Sequence, residues 1–182
     1  MSDASVFDDL PGDLMIWVLI VSELLVFGAG LAAFLAVRAT DPTGFADAQD
    51  ALHRTGAGAN TVVLVSSGAL AALALRLREK ARRGRARLAL VAAATLGVVF
   101  LVVKGVEYAA KAAQGIAWDT HPFFTFYYLL TGFHAAHVVA GVIVLLLVAW
   151  QDAPRNIEAG AAFWHMVDLV WVLLFPVIYL LG

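Results

Sequence analysis

The sequence predicts an all-α integral membrane protein, in which one domain forms a bundle of five transmembrane helices. Of the 182 residues, 62% are hydrophobic and only 14% are charged, whereas soluble domains have about 45–50% apolar and about 25% charged residues. Five segments have the roughly 20 mostly apolar residues that a membrane-spanning helix needs. They run over 14–37, 59–77, 88–110, 123–150 and 159–181, and we expect them to belong to a single domain over 1–182.

The first segment is apolar except for Glu23 in SELLVFGAG. The residues before it, MSDASVFDDLPGD, are acidic and lack the basic region of a cleavable signal peptide, so we expect the first helix to be retained. Residues 39–58 follow and are rich in Asp, Pro and Gly. This composition predicts a polar loop with a short surface helix.

The second and third segments flank the stretch RLREKARRGRAR (76–87), which holds seven of the twelve Lys and Arg residues. Basic residues mark cytoplasmic loops, so we predict a cytoplasmic N-terminus and a C-terminus on the outer, periplasmic side. We expect this stretch to contact anionic lipid rather than nucleic acid. Small residues in SSGALAALA and VAAATLGV indicate that these helices approach their neighbours closely.

The fourth segment is long enough to tilt and contains TGFHAAHVVAG. The fifth contains FWHMVDLVW and reaches the end of the sequence, and we expect no soluble domain in the remaining residues. The sequence has no cysteine. Disulfides, thiolate metal ligands and iron–sulfur clusters are therefore excluded.

Polar residues inside the predicted spans are the candidate functional residues, because a charged group there costs at least ~2.5–3.5 kcal/mol and needs a partner. Glu23 is either a proton-linked or ligand-contacting carboxyl or a neutral acid bonded within the bundle. Lys104 and Glu107 are three residues apart and can form an ion pair on one helix face, with Lys111 one turn beyond. His165 and Asp168 have the same spacing, which suits a carboxylate that orients an imidazole or a structural hydrogen bond.

His134 and His137 share one face of the fourth helix. They could bind a metal, and His134 could hold a haem together with His165. The spacing favours this only weakly, since di-metal bundles use Glu-x-x-His pairs, which this sequence does not contain. The alternative is that both hydrogen-bond to buried groups on neighbouring helices, with Glu107 and His165 as the first candidates.

Five motifs, one in each predicted helix, resemble those of one family. They are SELLVFGAG, NTVVLVSSGALA, KGVEY, TGFHAAHVVAG and EAGAAFWHMVDLVWVLLFPVIYL, and they occur in order between Pro11 and Gly182. The chain resembles the subunit III family of haem–copper oxidases (cytochrome c oxidase subunit III), including the short accessory relatives of bacterial nitric oxide reductases. Longer members have seven helices, and many oxygen-reducing members have Gln where this chain has Lys104.

The resemblance implies an accessory subunit that is not catalytic alone and has no cofactor of its own. The implied partner is a subunit I-type protein that carries haem and copper or iron, and the implied location is the inner (plasma) membrane of a bacterium, with bound phospholipid. Matched by position, the implied polar core, with structural or lipid-related roles, comprises Glu23, Glu107, His134, His137, Glu158, His165 and Asp168. Lys104 is paired with Glu107 in this set.

Two other functions stay open from the residues alone. One is a stand-alone membrane haem or metal oxidoreductase that uses His134, His137 and His165. The other is a small transporter or proton channel based on Glu23 and the Lys104–Glu107 pair, although inverted repeats and paired broken helices are lacking.

Overall fold

The computed structural model describes residues 14–151 and 153–181, so the acidic segment before the first helix lies outside the described residues. The described chain is all-helical, and five of its helices are long and apolar enough to cross a membrane, which confirms the predicted fold class. The helices are α1 (Leu14–Arg38), α2 (Pro42–Asp50), α3 (Arg54–Glu79), α4 (Arg83–Ala113), α5 (Pro122–Gln151) and α6 (Pro154–Phe175), followed by a π-helical segment, Pro176–Leu180.

Helices α3, α4, α5 and α6 form a closed ring in which each helix contacts the next and α6 returns to α3. The α3–α4 contact is the most extensive. Helix α1 lies outside this ring, against α5 and α6. It buries few side chains, chiefly Phe27 and Phe34, so most of its apolar surface faces outward as expected for contact with lipid.

Trp164 of α6 fills the centre of the ring and is fully buried. Its indole lies between Gly97 of α4 and Gly141 of α5, where an added Cβ would lie 2.6 Å and 2.5 Å from ring carbons. The indole Nε1 donates a hydrogen bond to Ser67 Oγ at 3.0 Å, and this hydroxyl donates to the Ala93 carbonyl at 2.7 Å. Small residues on two helices therefore make room for the largest side chain of a third.

The helix ends differ from the predicted ends. The stretch RLREKARRGRAR is not a loop, because α3 continues to Glu79 and α4 begins at Arg83. Ala81 has φ 58° and its N–H donates to the carbonyl of Arg78, as in a left-handed helix cap. The prediction counted only apolar residues, whereas Arg and Lys are good helix formers and extend both helices beyond the apolar region.

Two short elements close the end of the bundle opposite the basic stretch. Helix α2 confirms the short helix predicted within 39–58, and its Phe45 and Gln49 are buried. Gln49 Nε2 donates to the carbonyl of Ile178 in the π segment at 2.8 Å. The π segment begins at Pro176, which has no N–H to continue the α-helical ladder, so the predicted fifth span does not end as a regular α-helix.

Candidate functional site

The Lys104 ammonium group is buried inside the ring of helices, with 2% of its side chain exposed. It donates to Glu107 Oε2 at 3.0 Å, to the Tyr179 hydroxyl at 2.8 Å and to the Tyr127 hydroxyl at 3.3 Å. Both hydroxyls in turn donate to Glu107 Oε1 at 2.9 Å. All three ammonium protons are therefore bonded, and the predicted ion pair of Lys104 with Glu107 is present.

Aromatic rings surround the same ammonium group. Its nitrogen lies 4.9 Å from the ring centroids of Tyr108 and Tyr127, and 5.5 Å from those of Trp171 and Tyr179. Ring faces attract a cation at this distance, more strongly where water is excluded. We call Lys104, Glu107 and these four aromatic residues the Lys104 cage.

Sequence reasoning identified the two charged members of the cage but not Tyr127 and Tyr179, which bond to both. These two tyrosines come from α5 and from the π segment. One signal was available: a tyrosine hydroxyl within an apolar span needs a partner, so each Tyr in such a helix points to a polar group on a neighbour.

Glu23 and His137 come together where α1 contacts α5. His137 Nε2 lies 3.1 Å from Glu23 Oε2, within ion-pair distance although the two are not aligned as a hydrogen bond. The other ring nitrogen, Nδ1, donates to the carbonyl of Phe133 at 2.8 Å. Since Nδ1 carries a proton, either Glu23 or Nε2 must carry a second one for the two groups to attract each other.

His134 has a different environment from its neighbour. It is fully buried, and within the described residues neither ring nitrogen has a hydrogen-bond partner. Its ring stacks on Trp171, with centroids 5.1 Å apart, and meets Phe100 edge-on at 5.7 Å. The structure places His134 among aromatic rings.

Both histidines are predicted to hydrogen-bond to buried groups on neighbouring helices, and neither meets the first candidates, Glu107 and His165. His137 does lie beside a carboxyl of a neighbouring helix, Glu23 of α1, whereas the prediction is wrong for His134, which has no hydrogen-bond partner among the described residues. Glu107 is occupied by the partners of the Lys104 cage, and His165 is on the outer face of α6 with its nearest acid on the same helix. The relative rotation of the helices decides these contacts, and residue spacing within one helix does not reveal it.

His165 and Asp168 are close but not bonded, with His165 Nδ1 3.9 Å from Asp168 Oδ2. The Asp168 carboxylate lies against Gly68 of α3, where a Cβ would overlap it. His165 is 47% exposed and lines a cavity of about 410 Å³ between α1, α3 and α6. The same cavity is lined by Glu158 and Arg76. The structure therefore brings Glu158 and His165 together, and both lie apart from the Lys104 cage.

Over 14–151 and 153–181, no three His, Asp or Glu side chains are grouped as a metal site would require. His134, His137 and His165 thus do not converge on one point with an acid. The candidate residues in the described part of the chain form two separate polar contacts between helices, the Lys104 cage and the Glu23–His137 pair. His165 and Asp168 lie near each other on α6 alone.

Comparison with known proteins identifies the family. A family model described as cytochrome c oxidase subunit III matches residues 12–182. The chain is 30% identical over 174 residues to cytochrome c oxidase subunit 3 of Synechocystis sp., covering 89% of this chain and 72% of that protein. It is 26% identical over 174 residues to cytochrome bo(3) ubiquinol oxidase subunit 3 of Pseudomonas aeruginosa, covering 91% and 83%.

Some relatives are much longer. Identity to cytochrome c oxidase subunit 3 of Pyricularia grisea is 36% over 131 residues, which is 68% of this chain but 48% of that protein. The chain therefore spans about half the length of several of the curated relatives that it matches.

Proposed function

The chain belongs to the cytochrome c oxidase subunit III family, and from this membership we propose that it is an accessory, non-catalytic subunit of a haem–copper oxidase-type respiratory complex. Its role is to pack beside the catalytic subunit in the membrane. The haem and the copper or iron then belong to that partner, and the chain itself needs no redox cofactor.

The observation that carries this proposal is the extent of the family match, which covers residues 12–182 and therefore all five spanning helices. A match confined to one helix would be weak, since apolar helices resemble one another by composition. The polar contacts support a structural role, because those of the Lys104 cage and of the Glu23–His137 pair each join side chains of different helices.

The finer parts of the proposal follow from the same membership. We place the protein in the inner (plasma) membrane of a bacterium, with the N-terminus and the basic stretch 76–87 in the cytoplasm. Bound phospholipid is part of the proposal, because the apolar outer faces of the helices need it. The complex reduces either oxygen or nitric oxide, depending on its catalytic subunit.

Affinity purification of the full chain from native membranes in mild detergent tests this function. We expect a haem-carrying membrane protein of the subunit I type to co-purify in a fixed ratio, and its identity then tells which gas the complex reduces. Purification of the chain from the same membranes with no such partner would contradict the proposal.

A further inference from the structure

A cavity of about 480 Å³ lies between the first turns of α3 and the last turns of α4, at the end of the bundle opposite the basic stretch. Its polar lining residues include Asp50, His53, Glu107 and Lys111. Of these, only Glu107 also belongs to the Lys104 cage. The charge balance among these residues indicates what the cavity can bind.

Lys111 is buried, with 4% of its surface exposed, and it lines this cavity. Its only hydrogen bond within the described residues goes to the carbonyl of Ala51, and no described carboxylate forms an ion pair with it. An ammonium group has three protons to donate, so two are left for another acceptor. A buried charge without a counter-charge is costly unless something compensates it.

The two carboxylates of the cavity do not compensate Lys111, because each is paired with another cation. Asp50 accepts from Arg54 at 2.5 Å, and Glu107 accepts from Lys104 at 3.0 Å. Counting these pairs as neutral leaves the cavity with the uncompensated positive charge of Lys111. This excess selects an anion.

Two further features favour an anion at the same place. His53 Nδ1 accepts from the N–H of Gly56 at 3.0 Å, so in the neutral ring Nε2 carries the proton and is a donor. Helix α3 begins here, and the N-terminus of a helix carries partial positive charge. Both features supplement the Lys111 ammonium, which supplies the net charge.

The walls of the cavity are apolar and continue onto the outer face of α4. Val103 and Val106 line it and are 38% and 64% exposed. On a membrane-spanning helix such side chains face acyl chains. The ligand that fits is therefore an amphiphile with an anionic head and an apolar tail.

We propose that this cavity binds one anionic phospholipid, whose phosphate contacts Lys111 and whose acyl chain lies along Val103 and Val106. The proposal deepens the lipid contact proposed above. It does not require assembly with a catalytic subunit, because all of the residues that form the site belong to this chain.

Native mass spectrometry of the full chain, delipidated in detergent and titrated with phosphatidylglycerol, tests the site. We expect one phosphatidylglycerol molecule to bind to each chain, more tightly than phosphatidylcholine binds. Inorganic phosphate should not displace it. Lys111→Met removes the charge at similar length and should weaken binding roughly tenfold or more, since a charge-assisted hydrogen bond is lost. Lys111→Arg keeps the charge and should retain the lipid.

Two more variants complete the test. Lys80→Met removes an exposed lysine from the turn between α3 and α4 and leaves the six other basic residues of the stretch 76–87 in place. It should change binding little. Val106→Trp fills the apolar part of the cavity without changing its charge and should also weaken binding. This variant keeps the test valid if Lys111→Met does not fold.

The proposal is overturned if a folded Lys111→Met or Val106→Trp chain binds phosphatidylglycerol like the unmodified one, or if Lys80→Met weakens binding as much. Displacement of the lipid by inorganic phosphate would also overturn it and would indicate a site for a free anion. Failure of the lipid site and failure of the proposed accessory function are distinguished by purification of the Lys111→Met chain from native membranes. If this chain still co-purifies with the catalytic partner, the accessory function stands whatever the result for the lipid.

Discussion

At the scale of single residues, the two charges of the Lys104 cage neutralise each other. Lys104 and Glu107 form an ion pair whose remaining bonds go to Tyr127 and Tyr179. Burial of two charges is compensated only if the geometry is good and the remaining lone pairs and protons are bonded. The Lys104 cage meets that condition, which accounts for how a lysine can occupy this depth.

Removing one charge of the Lys104–Glu107 pair should lower the free energy of unfolding more than removing both charges. Lys104→Met leaves the Glu107 carboxylate buried without its cation, and we expect a loss of about 3–5 kcal/mol of stability. The double variant Lys104→Met with Glu107→Leu has no buried charge and should recover a substantial part of that loss. Unfolding of the purified chain in detergent measures both, and a double variant no more stable than the single one would contradict this account.

The environment of His134 leads to a second prediction at this scale. Because neither ring nitrogen is bonded and aromatic rings surround the side chain, His134→Phe should leave stability unchanged or raise it by about 1 kcal/mol. The neighbouring His137→Phe is the matched control, since it removes the bond to Phe133 and separates Glu23 from its partner, and it should destabilise. A large destabilisation by His134→Phe in the same unfolding assay would show that its imidazole is bonded after all.

The residue contacts that could be predicted are local ones. Lys104 and Glu107 lie three residues apart on one helix, so their pairing follows from helix geometry. The contact of Glu23 with His137 depends on how α1 is rotated against α5, and the tyrosines of the cage come from other elements. Periodicity within one helix carries no information on such rotations, so the sequence revealed the polar residues but not their partners on other helices.

At the scale of helices, close packing around Trp164 holds the ring of four together. Gly97 and Gly141 leave the space that its indole occupies, and Ser67 accepts its N–H. In a membrane, helices associate through such packing and through hydrogen bonds, because lipid provides no hydrophobic force between them.

Added volume at this contact should therefore separate helices. Gly141→Ala places a methyl group against the indole, and we expect a loss of about 1–3 kcal/mol from overpacking. Gly105→Ala on α4 is the control, since nothing lies within 4 Å of the added Cβ, and it should be neutral or stabilising. Thermal unfolding of the two variants in detergent checks this, and equal effects would contradict the packing account.

The number of spanning helices could be predicted from sequence, but their ends could not. The length of each apolar stretch reveals a span, because a helix that crosses the lipid needs about 20 apolar residues. The helices themselves begin outside these stretches, for example at Arg54 and Arg83. The π segment Pro176–Leu180 accepts hydrogen bonds from Gln49 and Lys104, which lie in distant parts of the chain. Such ends are set by tertiary contacts and by capping rather than by hydropathy.

At the scale of the whole molecule, five helices present a largely apolar outer surface, and seven of the twelve Lys and Arg residues lie at one end, in the stretch 76–87. The cavity beside Lys111 lies at the other end. This distribution agrees with the proposed orientation, in which the basic stretch is cytoplasmic and the cavity lies at the outer end.

The orientation can be tested directly because the chain has no cysteine. Lys80→Cys and Asp119→Cys each place one thiol on an exposed position, at opposite ends of the bundle. In intact spheroplasts, a membrane-impermeant maleimide should label Asp119→Cys and should label Lys80→Cys only after the membrane is opened. The reverse pattern would contradict a cytoplasmic basic stretch.

The proposed accessory subunit has no redox centre of its own. The most direct test is the absorption spectrum and metal content of the full chain, purified both with its partner and after separation from it. We predict a haem Soret band and stoichiometric iron in the complex, and neither in the separated, folded chain. Stoichiometric haem or metal in the separated chain, lost on substitution of His134, His137 or His165, would contradict the claim and indicate a redox enzyme.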